Sequence, residues 1–382
     1  MNCWNLTSTC CLFTSKRYLS SLSWRNRAIV YPQNGEPHEV LRIQSLPSPC
    51  VPPAPGTINV DFILSPVNPV DINTIQGVYP VKPRLEGQIF VGGKEGLAQV
   101  DEIGEGVDGL KKGDWVVMHG HQVGTWARKR NISAADVVPL PYKAENGLSA
   151  VNAATITINP LTAYNLLNDF VNLQEGDWIL QNGANSAVGQ LVIQIAKLRR
   201  VKTINFVRER DDLSTLSQYL YQLGATKVFT YNDLEDKLFR SKIKEHSGGK
   251  EIPLALNCVS GPTTSSMVKL LGKNAHLVSY GAMSKQPLSL PTSLFIFENL
   301  TAQGYSQARW NDTHSRIEFQ ELIRVVAGMM LDSNRGGLRP PQYEIFDINS
   351  EESDEEATRR IRGLFGVLAK GKLGKKVLLR WR

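Results

Sequence analysis

The alternation of apolar and polar positions changes its period twice in the middle of the chain. An apolar run from Trp178 to Gln181 stops at Asn182-Gly183. From Ala187 onward, apolar residues fall at Val188, Leu191, Val192, Ile195 and Ala196. This spacing predicts a helix with one buried face, and a second apolar run, Thr203 to Val207, follows one helix length later. Strand, turn, helix and strand in this order predict a βαβ unit, which is half of a dinucleotide-binding fold.

The turn of this unit departs from the G-x-G-x-x-G pattern of dinucleotide sites. When the pattern is aligned on Gly189, Ala184 and Ser186 occupy the first two glycine positions. Small residues there still allow backbone N–H groups to approach a pyrophosphate at the helix N-terminus. Asn185 and Ser186 add side-chain donors. The turn is a weak signal alone, and the surrounding strand and helix strengthen it.

The end of the second strand indicates which dinucleotide is bound. An NAD site has Asp or Glu there, which accepts from the ribose 2′-hydroxyl. Here Arg208 and Arg210 flank Glu209. A guanidinium can hold a 2′-phosphate bidentately, so the two arginines favour NADPH. Glu209 argues for NADH, and the alternative is that all three residues are solvated loop charges.

Composition is that of a globular chain with two domains. The chain has 382 residues, of which 42% are hydrophobic and 21% are charged. No apolar run approaches the ~20 residues of a membrane helix, so no membrane span is predicted. The five cysteines are scattered without a C-x-x-C motif, which favours a reducing compartment.

The charge of +7 is partly concentrated at the N-terminus. Four basic residues and no acidic one precede Glu36, in a segment rich in Ser and Thr with spaced apolar residues. This pattern predicts a mitochondrial transit peptide over residues 1–25, cleaved between Tyr18 and Arg27. The alternative is a disordered basic arm that contacts nucleic acid.

The other segments predict a β-rich domain before the βαβ unit and further βα units after it. Short strands alternate with Gly/Pro turns from Arg27 to Met118. The two prolines in Ser65 to Asn73 are expected to prevent regular structure there. Near the C-terminus, a helix over 359–369 and a closing strand over 376–379 are predicted.

Several runs resemble the medium-chain dehydrogenases/reductases. They are SPVNPVDIN (65–73), GGKEGLAQV (92–100), GLKKGDW (109–115) and QNGANSAVGQ (181–190). Others are similar to the zinc-free mitochondrial 2-enoyl thioester reductases, namely NPLTAY (159–164), TINFVRER (203–210), LALNCV (254–259) and SYGAMSKQP (279–287). The resemblance implies an α/β fold in which a Rossmann nucleotide-binding domain (159–340) is inserted between two parts (26–158 and 341–382) of a GroES-like β-rich catalytic domain.

The same resemblance argues against zinc. The zinc alcohol dehydrogenases of the superfamily have a Cys ligand at the position of Asn68 and a His ligand at that of Lys94. Neither residue type suits zinc at neutral pH. His119 and His121 lack a third ligand at suitable spacing. No metal site is therefore predicted.

Without a metal, the hydride acceptor must already be electrophilic, as a 2-enoyl thioester is. The resemblance implies that Tyr79 supplies the proton at C2 while hydride adds at C3. Asn68 and Lys94 are expected to orient the substrate or Tyr79, or else to serve only as a turn cap and a surface charge.

The resemblance also implies a set of cofactor-binding positions. Asn159 is expected at the nicotinamide end, and Lys375 at the cofactor. Near the C-terminal end of the nucleotide domain, Ser306 is smaller than the residue usual in the family, so the resemblance does not define the shape of the pocket at this position. The remaining positions are Asn185, Ser186, Ala187, Val188, Arg208, Glu209, Arg210, Tyr280, Gly281, Ala282, Met283, Tyr305 and Gln307.

The expected function is thus the NADPH-dependent reduction of 2-enoyl thioesters in the mitochondrial matrix. The resemblance implies a homodimer that uses acyl carrier protein or CoA thioesters in fatty acid synthesis. Two alternatives remain: a zinc-free NADPH:quinone reductase, and a non-catalytic nucleic-acid-binding protein on the same fold. Basic residues of the folded part are not interleaved with aromatic residues as in an RNA-binding module, so no nucleic acid is expected.

Overall fold

The structure is a computed structural model that describes residues 26–81, 83–120, 123–331, 336–371 and 374–382. The predicted transit peptide, residues 1–25, lies outside the described residues, as does His121.

Within this part of the chain, the strands are β1 Arg27–Tyr31, β2 Arg42–Ser45, β3 Thr57–Pro66, β4 Leu85–Glu86, β5 Ile89–Val91, β6 Leu97–Ile103, β7 Trp115–Met118, β8 Lys129–Ser133, β9 Val137–Pro139, β10 Trp178–Gln181, β11 Lys202–Val207, β12 Lys227–Thr230, β13 Leu254–Asn257, β14 His276–Ser279, β15 Thr301–Gly304, β16 Tyr343–Ile348 and β17 Lys376–Trp381.

The α-helices of the same residues are α1 Pro37–Val40, α2 Pro69–Ile75, α3 Ala150–Thr155, α4 Asn159–Asn168, α5 Ala187–Leu198, α6 Leu213–Leu223, α7 Phe239–His246, α8 Gly261–Met267, α9 Thr292–Glu298, α10 Gln307–Thr313, α11 Arg316–Met329 and α12 Asp354–Ala369.

The middle of the chain forms a parallel six-stranded sheet in the order β12-β11-β10-β13-β14-β15. This order is the 3-2-1-4-5-6 order of a Rossmann fold, and the predicted strand, helix and strand are β10, α5 and β11. The carboxyl ends of β10 and β13, whose crossovers run in opposite directions, flank the crevice in which such sheets bind their ligands. The predicted Rossmann domain is confirmed.

The β-rich part precedes this sheet in sequence and is completed after it. A four-stranded sheet has the order β2-β1-β5-β4, and a seven-stranded one has the order β16-β17-β3-β6-β7-β9, with β8 also paired to β3. Strand β17 pairs antiparallel with β3 through Leu378 opposite Pro66. The Rossmann domain is therefore inserted between two parts of the β-rich domain, as predicted. Apolar residues from both form one continuous core that includes Leu64, Val117 and Val192.

The prediction that the prolines of Ser65 to Asn73 prevent regular structure is wrong. Helix α2 begins at Pro69, a position where the missing N–H has no helical partner and the fixed φ suits a first turn. Asn68 caps the helix, and its own backbone N–H donates to Asp71 Oδ2 at 2.8 Å. The proline therefore starts the helix instead of preventing it.

Helices of the described residues are all too short or too polar to cross a bilayer. The longest, α12, has 16 residues and begins with three consecutive acidic side chains.

Candidate active site

A buried polar cluster joins the two domains at Asn68. Its side-chain Nδ2 donates to Glu95 Oε2 at 2.8 Å. Its Oδ1 accepts from Asn159 Nδ2 at 3.2 Å and from Lys376 Nζ. The four residues come from the cap of α2, the turn before β6, the start of α4 and the start of β17. Segments distant in sequence thus meet at one amide.

Glu95 is fully buried, and each of its carboxylate oxygens accepts hydrogen bonds. Oε2 accepts from Asn68, and Oε1 accepts from the backbone N–H of Ile158 at 2.8 Å and from Thr157 Oγ1 at 3.1 Å. Burial raises the pKa of Glu95, while Lys376 and these donors lower it. Burial likewise lowers the pKa of Lys376, and Glu95 and Asp71 oppose that change. The two charges thus stabilise each other within a desolvated site.

Asp71 adjoins the cluster on helix α2 and is only 2% exposed. Its Oδ1 has no hydrogen-bond partner in the described residues and lines a cavity beside Lys94 and Tyr31. The space open to the centre of a water molecule there is about 10 Å³, which is room for one water. Burial raises the pKa of Asp71 to about 7, against the opposing effects of the Asn68 N–H, Lys376 and Lys94.

Tyr79 is placed by the end of helix α2. Gly77 adopts φ +78°, a conformation that favours glycine, and turns the chain back. The backbone N–H of Tyr79 then donates to the carbonyl of Asn73 at 3.2 Å. The Lys94 ammonium lies 4.0 Å from the centroid of the Tyr79 ring, in cation–π contact. Lys94 therefore contacts Tyr79, which was one of the interpretations of Lys94 that the sequence left open.

The phenol and the ammonium affect each other's surroundings. Burial raises the pKa of Tyr79, and the carboxylate of Asp312 on α10 raises it further. Burial lowers the pKa of Lys94 to about 8, with Asp71 opposing the change. Tyr79 thus remains protonated at neutral pH, and the carboxylate that raises its pKa further belongs to the Rossmann domain.

The predicted pyrophosphate turn has the geometry that a dinucleotide requires. Ser186 caps α5 and accepts from the N–H of Gly189 at 3.1 Å. A Cβ at Gly189 would lie 2.7 Å from the carbonyl oxygen of Ala184, so only glycine permits this approach of helix to turn. Asn185, Ala187 and Val188 lie in the same turn and first helical residues. The residues present therefore fit a pyrophosphate at the start of α5.

The loop after β14 runs beside this turn. Backbone N–H groups of Tyr280 and Met283 donate to the carbonyls of Asn257 and Cys258 at 2.9 Å. The buried Tyr280 hydroxyl adjoins Cys258 and Ser186 but makes no hydrogen bond of normal geometry to a described residue. A polar atom left this way next to the turn suits a bound polar ligand. Gly281 packs on Cys258, while Ala282 and Met283 are exposed at the rim.

The three charged residues after β11 are exposed and not equivalent. Arg210 is bound bidentately by Asp212, with one of the two contacts at 2.9 Å. The charge of Arg208 opposes the rise in the pKa of Tyr231 that burial causes, and the Tyr231 hydroxyl accepts from the N–H of Gly183 in the pyrophosphate turn. No ion pair to Arg208 or Glu209 is found among the described residues. Arg208 is the guanidinium available to a 2′-phosphate.

The side chains that follow β15 make their contacts within the protein. The Tyr305 hydroxyl accepts from Asn165 Nδ2 at 2.9 Å and donates to Gln307 Oε1 at 2.6 Å, and the ring is buried. Ser306 caps α10. The roles of Tyr305, Ser306 and Gln307 at the cofactor remain predictions. The polar groups of Tyr305 and Gln307 already make hydrogen bonds within the protein.

The two neighbouring lysines at the start of β17 lie on different sides. Lys375 is exposed and lines an open depression of about 390 Å³ with Tyr219, whose hydroxyl donates to Gln190 beside the pyrophosphate turn. Lys376 reaches Asn68. Lys376 and Asp71 were not predicted from the sequence. The period of two in a strand places adjacent residues on opposite faces, but the pattern does not say which face is inner at a strand end.

No group of three or more His, Cys, Asp and Glu side chains in the described ranges is arranged to hold a metal ion. The positions that correspond to two zinc ligands of the alcohol dehydrogenases hold an amide, Asn68, and an ammonium, Lys94.

Comparison with known families matches both domains. The family described as "Alcohol dehydrogenase GroES-like domain" matches residues 54–142, and the one described as "Zinc-binding dehydrogenase" matches residues 187–327. The predicted GroES-like and Rossmann pairing is thereby confirmed.

Close relatives match over nearly the whole chain. The mitochondrial enoyl-[acyl-carrier-protein] reductase of Yarrowia lipolytica is 39% identical over 360 residues, which covers 93% of this chain and 92% of the relative. The Etr1p/Etr2p heterodimer of the mitochondrial 2-enoyl thioester reductase from Candida tropicalis superposes with a TM-score of 0.84 at 34% identity, covering 93% and 99% of the two chains. A complex of Etr1p with NADP and crotonyl-CoA gives a TM-score of 0.83, also at 34% identity and with the same coverage.

Proposed function

The chain belongs to the family of mitochondrial enoyl-[acyl-carrier-protein] reductases, and from this membership we propose that it reduces the C2–C3 double bond of trans-2-enoyl thioesters with NADPH. The observation that carries the proposal is a protonated phenol, Tyr79, beneath a partly buried ammonium and beside the dinucleotide domain. Membership in this family favours the activity over the quinone reductase and nucleic-acid-binding alternatives.

When bound, NADPH supplies a hydride from nicotinamide C4 to C3 of the enoyl thioester. The protein then has to supply a proton at C2, and Tyr79 is the group placed to donate it. The Lys94 ammonium over the ring stabilises negative charge that develops on the phenol oxygen as the proton leaves. Exchange with solvent through the cavity beside Lys94 and Asp71 would restore the proton.

Arg208 supports the choice of NADPH because it is exposed at the end of β11 and free to bind a 2′-phosphate. Arg210 would join it by exchanging its contact with Asp212 for the phosphate. Ser186 and the N–H groups of the first turn of α5 would hold the pyrophosphate, and Asn159 would hold the nicotinamide end. Lys375 lines the same depression as Tyr219, whose hydroxyl donates to Gln190 of α5, and would add a cation there.

The test is NADPH oxidation by the purified chain with trans-2-enoyl-CoA substrates of increasing length. We expect turnover with crotonyl-CoA and longer enoyl thioesters, and much weaker turnover with NADH. The matched control is the saturated acyl-CoA of the same length, which should give none. Turnover with quinones but not with enoyl thioesters would reject the proposal.

Acyl carrier protein is the proposed natural carrier, and the mitochondrial matrix the proposed location. Two relatives bear a mitochondrial name that includes the carrier protein, and the basic N-terminal segment supports import. A lower KM for crotonyl-acyl carrier protein than for crotonyl-CoA would support the carrier. Matrix location is tested by protease protection of the tagged chain in intact and in osmotically ruptured mitochondria.

A homodimer is proposed through the outer edge of the Rossmann sheet. Strand β15 is exposed along its whole length, and the preceding helix α9 exposes the apolar side chains of Phe295, Ile296 and Phe297. An unpaired strand edge beside apolar side chains favours association. A second copy placed about a twofold axis would pair the two β15 edges into one continuous sheet.

A further inference from the structure

The amide of Asn68 has one permitted orientation. A carboxylate can only accept hydrogen bonds and an ammonium can only donate them. Glu95 therefore requires the Nδ2 of Asn68, and Lys376 requires its Oδ1. Asn68 is 1% exposed, so water does not compete for either atom. Opposite charges on its two sides thus fix the direction of this amide.

The fixed amide in turn sets the direction of a second one. Because Asn68 presents Oδ1, Asn159 has to present Nδ2 to it, and does so at 3.2 Å. The acceptor oxygen of Asn159 is then the atom left for a ligand. An acceptor there suits the carboxamide N–H of nicotinamide, whereas a flipped amide would present N–H to N–H.

We infer that Lys376 is a positioning residue for the nicotinamide of NADPH, acting through Asn68 on Asn159. This inference rests on the proposed function, because it takes NADPH as the ligand. Glu95 is its counterpart on the other side of Asn68. The Lys376 ammonium thus supplies a fixed positive charge beside Asn68, the position of a Cys ligand in the zinc alcohol dehydrogenases.

The arrangement also ties the cofactor site to the catalytic domain. Lys376 and Asn68 are 308 residues apart in sequence, and Asn159 lies 91 residues beyond Asn68. Glu95 links the same amide to the backbone of Ile158, the residue before α4. The start of α4 is therefore held by hydrogen bonds from the β-rich domain on two sides.

The test is a double-mutant cycle on NADPH affinity in the full chain. Lys376→Met removes the ammonium and keeps a side chain of similar length, and Asn159→Ala removes the amide that it orients. Each single variant should weaken NADPH binding, measured by nicotinamide fluorescence, by about five- to tenfold, which is the loss of one hydrogen bond. The double variant should be no weaker than either single one, since both changes break the same link.

Two further variants complete the design. Lys112→Met makes the same change at an exposed lysine paired with Glu102, and should leave NADPH affinity and kcat unchanged. If Lys376→Met does not fold, Asn68→Ala breaks the same link and should show the same non-additivity with Asn159→Ala. Melting curves without NADPH show whether each variant is folded.

Additive losses in the cycle, or unchanged NADPH affinity in folded Lys376→Met, would overturn the inference. Affinity is measured without an enoyl thioester, so the result is independent of turnover. A chain that shows the predicted cycle but does not reduce crotonyl-CoA would reject the proposed function alone. For Lys376→Met we also expect kcat with crotonyl-CoA to fall more than KM changes, because a misplaced nicotinamide binds but reacts slowly.

Discussion

Tyr79 is held at the end of α2 with its ring against Lys94, so its hydroxyl can be removed without changing that packing. For Tyr79→Phe we expect kcat with crotonyl-CoA to fall by about 100-fold, the lower end of the effect of losing a positioned general acid. KM should change little because the ring remains. Steady-state NADPH oxidation measures both, and Tyr221→Phe, at an exposed tyrosine of α6, is the matched control. A kcat equal to that of the control would contradict the assignment.

Asp71 gives a prediction for the pH dependence of stability. Its pKa in the folded protein, about 7, lies above the ordinary value of 3.8. The folded protein therefore keeps a proton that the unfolded chain releases, and the stability from Asp71 is lost as pH rises from about 4 to 7. Asp71→Asn removes this titration and keeps an acceptor for the Asn68 N–H.

Between pH 4.5 and 7.5, the stability of the wild type should fall relative to Asp71→Asn by on the order of 2 kcal/mol. Urea unfolding at several pH values measures the difference. The matched control is Asp108→Asn at an exposed loop residue, which should show the same pH dependence as the wild type. An Asp71→Asn curve parallel to that of the wild type would contradict the prediction.

The role of a single residue could be predicted from the sequence where its side chain suits only a few kinds of ligand. Arg208 at a strand end and the small Ser186 at a helix start each indicate a phosphate contact. The role of Lys376 could not be predicted in that way. Its neighbour Lys375 is the same residue type, and only the pairing of β17 with β3 decides which of the two faces Asn68.

Among the secondary-structure elements, α5 is the one on which the cofactor site depends most. Gly189→Ala would place a Cβ 2.7 Å from the Ala184 carbonyl, so the helix and the pyrophosphate turn have to separate. We expect NADPH affinity to fall at least about tenfold and the free energy of unfolding to fall by about 1–3 kcal/mol. Isothermal titration calorimetry and urea unfolding test the two effects.

The matched control for this change is Gly363→Ala inside α12. A Cβ there meets nothing within 4 Å. Alanine should therefore stabilise the helix by about 1 kcal/mol and leave NADPH binding unchanged. Equal affinities for Gly189→Ala and Gly363→Ala would mean that the turn does not contact the cofactor.

Periodicity predicted α5 and its flanking strands because a buried helix face and buried strands leave distinct apolar spacings. Helix α2 was missed because it has only seven residues and a proline at its start, so it shows no such apolar spacing. Its stability comes from capping by Asn68 and Asp71, which depends on side-chain geometry. The short strands β16 and β2 were missed as well, since half-exposed strands of this kind carry little apolar alternation.

For the whole molecule, the exposed edge of β15 predicts the oligomeric state. The wild type should be a dimer at micromolar concentration by light scattering coupled to size exclusion. Phe297→Asp places a charge on the proposed interface and should give a monomer, because the carboxylate would be buried without a partner. Leu238→Asp changes an equally exposed side chain that follows β12, at the opposite edge of the sheet, and should remain dimeric. A dimeric Phe297→Asp would move the interface elsewhere.

The order of the two domains was predictable because each has its own signature: β turns first, then βα units. Their junction was not. It is built from single residues of four segments, and no local pattern links Asn68 to Lys376 across 308 residues. The contacts that join the domains are thus the ones that the sequence reveals least.

The pairing of β17 with β3 also has a consequence for biosynthesis. During translation, β3 leaves the ribosome long before β17 is made, and the entire Rossmann sheet is made in between. Until then β3 lacks its neighbour β17, and Asn68 lacks its ammonium. The nucleotide domain can fold on emergence, whereas the catalytic domain that began first has to finish last. Truncation by as little as the residues of β17 would therefore release a chain with a formed dinucleotide fold but an incomplete catalytic domain.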